Sequence, residues 1–170
     1  MTAAAPFTLR PAELKDVAPI VALIRELAEF EQLTHLLQVT PEKLRPHLFG
    51  LKPVAEAYVA ELPADAVPAG ESSVVAFALF FTNFSTFLSK PGLYLEDLYV
   101  KPEHRSRGLG KALLEHLGAL AVQRDYGRFE WSVLDWNEHA IRFYRAMGAT
   151  LLPDWRICRV TGEALQQFGR

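Results

Sequence analysis

Apolar positions along the chain switch between helical and strand spacing, and this pattern predicts a layered fold. A first helix is predicted after Asp16, which can cap it, from an apolar stripe at Val17, Ile20, Val21, Ile24, Leu27 and Ala28. A second helix is predicted to start at Thr40-Pro41-Glu42, where a capping hydroxyl precedes a first-turn proline and a carboxylate. Two later helices are predicted after Gly108 and over residues 137–147, the second ending at Gly148.

Short apolar runs bounded by turn residues predict the strands. They lie at residues 7–10, 54–62, 73–82, 93–100 and 129–134, with two further short strands around residues 155–160. Prolines and a glycine predict a turn or loop over residues 63–72. The resulting order of strands and helices indicates an α/β or α+β layer fold with mixed strand pairing. A length of 170 residues suits one domain, which we predict to span residues 1–170.

Composition and charge exclude several classes of function. The formal net charge of -2 offers no basic excess that would attract nucleic acid or an anionic membrane. No apolar stretch reaches the roughly 20 residues of a membrane span, and the first residues lack the features of a secretory signal. The single Cys158 excludes an internal disulfide, so we expect a cytoplasmic protein. The scattered histidines predict no metal site.

A glycine-containing segment, Arg105-Ser-Arg-Gly-Leu-Gly-Lys111, joins a predicted strand to a helix start. Its glycines allow close backbone approach, and N–H groups at a helix start suit an anion such as a pyrophosphate. Arg105, Arg107 and Lys111 add positive charge. The segment is not a Walker A loop, because Ala112 stands where Ser or Thr is needed, and Leu113 excludes the dinucleotide-binding fingerprint. From these residues alone, an ordinary helix start with surface arginines is an equally good explanation.

Three carboxylates occupy unusual positions. Glu96 and Asp97 lie within the apolar strand at residues 93–100, and alternation predicts that they point to opposite faces. A buried carboxylate needs a partner or a cavity, and burial raises its pKa toward that of a general base. The alternative is a structural acid paired with an arginine. Glu31, beside Phe30, continues the apolar stripe of the first helix, unless that helix has already ended and Glu31 is solvated.

Taken in order, these segments resemble the GNAT superfamily of N-acetyltransferases over nearly the whole chain. Residues 105–110 fit its Q/R-x-x-G-x-G/A pattern, and residues 136–148 are its second specific segment. Within the superfamily, the chain is similar to the diamine (spermidine/spermine) acetyltransferases and their thialysine-acetylating relatives. This closer similarity depends on residues 24–31, 93–97, 136–138 and 154–156.

The resemblance implies a mixed, mostly antiparallel central sheet, splayed between strands 4 and 5 and flanked by helices. It implies an acetyl-CoA-dependent N-acetyltransferase, usually a homodimer, that modifies the primary amine of a small molecule without a metal. Tyr144, which alone would be a core tyrosine sharing a helix face with Ile141, becomes the general acid, and Glu96 the water-mediated base. The implied acetyl-CoA residues are Leu98, Tyr99, Val100, Arg105, Ser106, Arg107, Gly108, Leu109, Gly110, Lys111, Asn137, His139, Ala140 and Tyr144. The implied amine-pocket residues are Phe30, Glu31, Glu96, Asp97, Glu130, Trp131 and Ser132.

One departure from the family pattern bears on the substrate. The diamine enzymes carry extra acids just after the position of Glu31, whereas residues 32–38 here contain none. We therefore predict a smaller or less cationic amine, such as a thialysine-like compound or an amino acid analogue. Two other functions remain open: a non-catalytic CoA-binding module, which the presence of both Glu96 and Tyr144 disfavours, and acetylation of a protein N-terminus or lysine.

Overall fold

The computed structural model describes residues 6–169 of the chain. Its strands are β1 (Thr8–Pro11), β2 (Glu56–Glu61), β3 (Val74–Ser85), β4 (Lys90–Val100) and β5 (Arg128–Trp131). Its α-helices are α1 (Val17–Phe30), α2 (Pro41–Phe49), α3 (Leu109–Gln123), α4 (Glu138–Ala146) and α5 (Gly162–Gln166). The sheet has the order β1-β2-β3-β4-β5, with antiparallel neighbours except for the parallel pair β4–β5. The predicted mixed, mostly antiparallel sheet is therefore confirmed.

The chain divides into two compact units, Met1–Ser132 and Val133–Arg170. The first unit contains the whole sheet together with α1, α2 and α3, and the second contains α4 and α5. The single domain expected over residues 1–170 stays a prediction.

Helices cover both faces of the sheet in the first unit. On one face, α1 and α2 contribute to a core of Ile20, Leu23, Leu48, Ala57, Val59, Val74, Phe77, Leu79 and Tyr99. Tyr58 follows Ala57 and precedes Val59, so it points to the other face. There its ring lies 4.3 Å from that of His116 in α3. The buried leucines Leu113 and Leu117 come from this same helix, which gives the sheet its second apolar layer.

Local sequence signals fix several helix ends as predicted. The Thr40 hydroxyl accepts a hydrogen bond from the Lys43 amide at 3.3 Å, and the chain leaves α4 through Gly148 at a φ of 91°. Asp16 does precede α1, but its carboxylate does not cap that helix. It accepts the Glu13 amide instead, at 2.7 Å.

The two strands predicted around residues 155–160 are absent from the structure, where this segment has no regular secondary structure and α5 follows it. Trp155 and Ile157, which alternation would direct toward a core, are 75% and 70% exposed. Alternation becomes a strand only when a neighbour supplies hydrogen bonds and an apolar surface. The Cys158 side chain in this segment is also exposed.

Two expectations concern membranes and targeting. Within residues 6–169, no helix has the length and apolar character needed to cross a membrane. Residues 1–5, which contribute to the prediction that no secretory signal is present, lie outside the described part of the chain.

A buried ion-pair network ties β1 to the start of α1. Arg10 donates from Nη1 and Nη2 to the Asp16 carboxylate at 2.6 and 3.0 Å, and from Nε to Glu61 at 2.7 Å. Asp16 is only 2% exposed. Burial opposes its ionisation, but the hydrogen bonds from Arg10 and the Glu13 amide outweigh burial and hold the pKa of Asp16 below its usual value.

Replacing Asp16 tests this network. Asp16→Ala should lower the free energy of unfolding by about 3 kcal/mol at pH 7, because it leaves part of the Arg10 charge uncompensated. Because the pKa of Asp16 is lowered on folding, its contribution is present above the ordinary value of 3.8 and is lost as the pH falls below it. Urea denaturation at several pH values measures the difference between variant and wild type.

The control is Lys15→Ala, since the Lys15–Glu13 pair at 3.0 Å lies on the surface. This change should cost less than about 1 kcal/mol. Equal effects of the two substitutions would contradict a structural role for Asp16.

Candidate active site

Strand β4 separates from β5 halfway along its length. The parallel pairing joins Gly92 to Arg128 and ends where Leu95 meets Trp131. β4 continues to Val100 and remains paired with β3 on its other side. In the part of the chain that the structure describes, the β5-facing edge of residues 96–100 has no strand partner. This separation agrees with the predicted splay between strands 4 and 5, and Leu98 and Val100 lie in the stretch of β4 that has separated from β5.

A β-bulge lies in β4 where this separation begins. Leu95 is opposite Phe80 and Asp97 is opposite Leu79, so Glu96 is an extra residue with no counterpart on β3. Because consecutive residues of β3 point to opposite faces, Leu95 and Asp97 do so as well, although they are two residues apart. The prediction that Glu96 and Asp97 take opposite faces assumed strict alternation, and this assumption is wrong at the bulge.

Three predicted amine-pocket acids come together near the bulge. Asp97 is half-buried, and burial, followed by the negative charges of Glu96 and Glu31, raises its pKa to about 7. Glu31 directly follows α1 and is also half-buried, and burial raises its pKa. Glu96 is exposed. Because α1 ends at Phe30, Glu31 lies just beyond the helix, yet its side chain is not fully solvated. A cluster of like charges of this kind is suited to a cation.

The loop before α3 has the backbone geometry of an anion site. Ser106 and Gly108 adopt left-handed φ angles of 61° and 84°. Gly108 is the N-cap residue of α3 and supplies no side-chain acceptor to the first turn, so N–H groups there can bind a ligand. A Cβ on Gly110 would lie 3.6 Å from a Val100 methyl group, and Leu109 is buried. Gly110 therefore lies close to the end of β4, and the buried Leu109 side chain holds the first turn of α3 in the core.

The three cations of the loop have different surroundings. Arg107 and Lys111 are exposed, with only a 3.4 Å contact to His104 and a 3.7 Å ion pair to Glu115. Arg105 instead donates from Nε to the carbonyl oxygen of Val100 at 3.0 Å. All three residues are exposed. Their contribution of positive charge around a bound anion stays a prediction, and Arg105 differs from the other two in its hydrogen bond to the end of β4.

Tyr99 is a core residue by its side chain. It is 5% exposed, and it lies close enough to Glu26 of α1 for that carboxylate to affect its hydroxyl. Burial and the charge of Glu26 raise the pKa of Tyr99 to about 12. The role of Tyr99 in binding acetyl-CoA stays a prediction. Sequence reasoning missed Glu26, whose Oε1 also lies 3.9 Å from Lys101 Nζ. Nothing in the helical pattern separates Glu26 from Arg25 and Glu29, the other charged residues of α1.

Glu130 is already paired. Its Oε1 accepts from Asn83 Nδ2 at 2.7 Å and lies 3.2 Å from Arg128 Nη2. Gly92 makes room for this group, since a Cβ there would stand 2.5 Å from the Asn83 side-chain oxygen. Of the predicted pocket acids, Glu130 thus carries a compensated charge. Asn83 was missed because the predicted strand stopped at residue 82.

The remaining predicted pocket residues of the first unit each contact another side chain: an aromatic ring, a hydroxyl group or a guanidinium. The ring of Trp131 packs 4.8 Å from that of Phe129. Ser132 shares a 2.9 Å hydrogen bond with the Tyr94 hydroxyl. The Phe30 ring lies under the Arg105 guanidinium, with Cζ 5.2 Å from its centroid.

The second unit holds the other predicted site residues on α4. Asn137 accepts the Ala140 amide on its side-chain oxygen at 3.1 Å and so caps the helix that the sequence predicts over residues 137–147. His139 is exposed. Tyr144 is half-buried one turn beyond Ala140, with its ring 5.3 Å from that of Phe143. Tyr144 and Ile141 are both half-buried, as a shared helix face requires.

Comparison with known proteins shows which protein family the chain belongs to. Residues 26–149 match the family model described as "Acetyltransferase (GNAT) family". The chain is 37% identical to thialysine N-epsilon-acetyltransferase of Sus scrofa, covering 94% of this chain and 95% of that protein. It is 34% identical to L-ornithine N5-acetyltransferase NATA1 of Arabidopsis thaliana, covering 95% of this chain and 87% of that protein. The chain therefore belongs to the GNAT family of acetyltransferases.

Solved structures agree at the level of the fold. An integron cassette protein from V. cholerae matches with a TM-score of 0.77 at 20% identity, covering 98% of this chain and 99% of that chain. A ribosomal-protein-alanine N-acetyltransferase from Brucella melitensis matches with a TM-score of 0.70 at 18% identity, covering 92% and 99%. The predicted family, fold class and enzyme class, an acyltransferase, are confirmed.

Titration of Asp97 tests the acid cluster. Its carboxyl should titrate near pH 7, because burial and two like charges favour the protonated form. Glu31→Gln should lower the midpoint by removing one of those charges. Carbon-detected NMR of the carboxyl groups measures both values. Glu29→Gln, at an exposed position of α1, is the matched control and should leave the midpoint unchanged. A midpoint near the ordinary 3.8 in the wild type would contradict the cluster.

Proposed function

We propose that this protein transfers the acetyl group of acetyl-CoA to the terminal amine of a small amino-acid-like substrate, such as thialysine or ornithine. The observation that carries the proposal is the cluster of Glu31, Glu96 and Asp97 at the point where β4 leaves β5. A cationic amine and an exposed strand edge for its acyl donor would meet there. The names of the two relatives above support this substrate class.

The three clustered acids can bind the protonated amine and take up the proton that it must lose. An alkyl amine has a pKa of about 10 and is mostly protonated at neutral pH, so it must lose a proton before it can attack. In our proposal, Glu31 and Asp97 attract the ammonium group. Glu96 receives its proton through a water molecule, in the role that the family resemblance implies. The neutral nitrogen then forms the amide bond directly, with no covalent enzyme intermediate.

A second proton completes the reaction. Acetyl-CoA supplies the acetyl group as an activated thioester, and the carbon–sulfur bond breaks as the carbon–nitrogen bond forms. The thiolate that leaves is a base with a conjugate pKa of about 8.5. We assign the Tyr144 hydroxyl as the donor of its proton, on the family resemblance of residues 136–148.

The donor would be held mainly by backbone groups. The left-handed loop at Ser106 and Gly108 and the first turn of α3 offer N–H groups to a pyrophosphate. Arg107 and Lys111 add charge nearby. In the proposal, backbone groups of Leu98 and Val100 pair with the pantetheine arm, and Asn137, His139 and Ala140 flank the donor by family resemblance.

The substrate preference follows from the supply of negative charge. Residues 32–38 contain no acid, and Glu130 is paired with Arg128. A long polycation would have few carboxylates to bind beyond the three acids, whereas these three are enough to bind one terminal ammonium group. A spermidine/spermine acetyltransferase-like protein of Homo sapiens is also related, at 30% identity over 94% of this chain but only 23% of that protein.

We also propose a homodimeric assembly, which is usual in this family, and a cytoplasmic location, which the single cysteine suits. Light scattering on the purified protein measures the first, and microscopy of a tagged chain the second.

An amine panel tests the substrate class. Thiol release from acetyl-CoA should give a kcat/KM for thialysine or ornithine about tenfold above that for spermidine, the effect of about 1.4 kcal/mol in charge contacts. Release with peptides alone would favour protein acetylation. Silence on every amine despite tight CoA binding would favour a non-catalytic module. Either result would overturn the proposal.

Substitution of Tyr144 tests the acid. Tyr144→Phe should lower kcat by about 10²-fold, because the thiolate loses its proton donor. The affinity for acetyl-CoA, measured by calorimetry, should stay unchanged. The matched control is Tyr126→Phe, which removes a hydroxyl bonded to Thr82 and should retain full kcat. Wild-type turnover in Tyr144→Phe would remove Tyr144 from the acid role.

A further inference from the structure

Arg105 bridges two elements that carry different parts of the proposed site. Its Nε donates to the Val100 carbonyl at the end of β4. Its Cζ lies 5.2 Å from the centroid of the Phe30 ring, at the end of α1, and 5.5 Å from that of the Tyr99 ring. A guanidinium at these distances from two aromatic faces makes favourable cation–π contacts. The side chain therefore joins the C-terminal ends of α1 and β4.

This placement separates Arg105 from the other loop cations. The sequence pattern assigns all three to the phosphates of the donor, and all three residues are exposed. Arg107 and Lys111 have weak contacts at 3.4 and 3.7 Å, whereas Arg105 has a 3.0 Å hydrogen bond to the Val100 carbonyl. Arg105 is committed to a carbonyl and two rings of the same unit. A phosphate that drew the guanidinium away from the end of β4 would break its Nε hydrogen bond and move it off the two rings.

Phe30 connects Arg105 to the proposed amine pocket. It is the last residue of α1 and directly precedes Glu31, one of the three clustered acids. Fixing the Phe30 ring fixes the backbone from which the Glu31 carboxylate extends. Tyr99 of the same strand also interacts with Glu26, one turn earlier in the same helix. The planar guanidinium thus completes a two-point attachment of the end of α1.

We propose that Arg105 is a positioning residue for the amine, acting through Phe30 and Glu31, and not a ligand of the donor's phosphates. The inference rests on the proposed function, since it names how that amine pocket is held. It predicts that the side chain affects the KM of the amine and leaves the binding of CoA alone.

The test separates the two substrates. Arg105→Met keeps an apolar stem and removes the guanidinium, so the KM for the amine should rise about 5- to 20-fold through the lost cation–π contacts and hydrogen bond. The Kd for CoA, measured by calorimetry, should stay at the wild-type value. Arg107→Met is the matched control and should show the reverse, with weaker CoA binding and an unchanged KM for the amine.

Two further variants show whether the guanidinium acts through Phe30. Phe30→Leu removes the ring while keeping an apolar side chain, and should raise the KM for the amine. Adding Arg105→Met to it should produce little further change, because the two residues share one interaction. Arg105→Lys should not restore the KM, since an ammonium group lacks the planar fork that lies on the rings. Thermal unfolding of each variant verifies that it is folded.

Several results would overturn the inference. Loss of CoA affinity in Arg105→Met that Arg105→Lys restores would make Arg105 a phosphate ligand. Additive effects of the Phe30 and Arg105 substitutions would show independent roles. If the wild type acetylates no amine, the proposed function fails, and the attachment is then judged by NMR of the Phe30 ring. Its resonances should shift in Arg105→Met without any substrate, and an unchanged spectrum would refute the contact.

Discussion

Strand β4 has to satisfy two neighbours that run in opposite directions, and the rest of the candidate site depends on how it does so. It pairs with β3 along its length but with β5 only from Gly92 to Leu95. The bulge at Glu96 lies where the second ladder ends. Beyond it, the backbone groups on that edge of β4 need partners other than a strand, and the Val100 carbonyl has one in Arg105 Nε.

The pKa of a buried aspartate in this protein depends on the charges next to it. Asp16 and Asp97 are both aspartates withdrawn from water, yet their pKa values move in opposite directions. Asp16 has a bidentate arginine and a backbone amide as partners, and these outweigh its burial. Asp97 has Glu96 and Glu31 as its charged neighbours. The identity of the nearest charge therefore decides whether an aspartate serves as a structural anion or keeps a proton near neutral pH.

Residues with strong local signals were predictable from the sequence. The cap at Thr40, the left-handed Gly148 and the glycines before α3 act through nearby backbone groups, so their spacing is enough. Membership of the family followed from several such segments in order. The three clustered acids were also identified, because charges inside an apolar pattern are conspicuous.

Features that depend on a second strand or a distant ring could not be read in this way. The bulge at Glu96 exists only relative to β3, so alternation in a single sequence cannot reveal it. The Arg105 side chain turns toward Phe30, which is 75 residues away along the chain in a different helix, so a motif that marks it only as a loop cation misses this contact. The segment at residues 155–160 has the alternation of a strand but no partner.

The exposed thiol of Cys158 has a practical consequence. Because the chain contains a single cysteine, a thiol-reactive dye will label one known position, inside the unit that also carries Tyr144. The same thiol competes for any disulfide reagent that reports free coenzyme A. Each chain will consume one equivalent of reagent at the outset, a fixed background that scales with protein concentration and not with time. Serine at this position would remove that background.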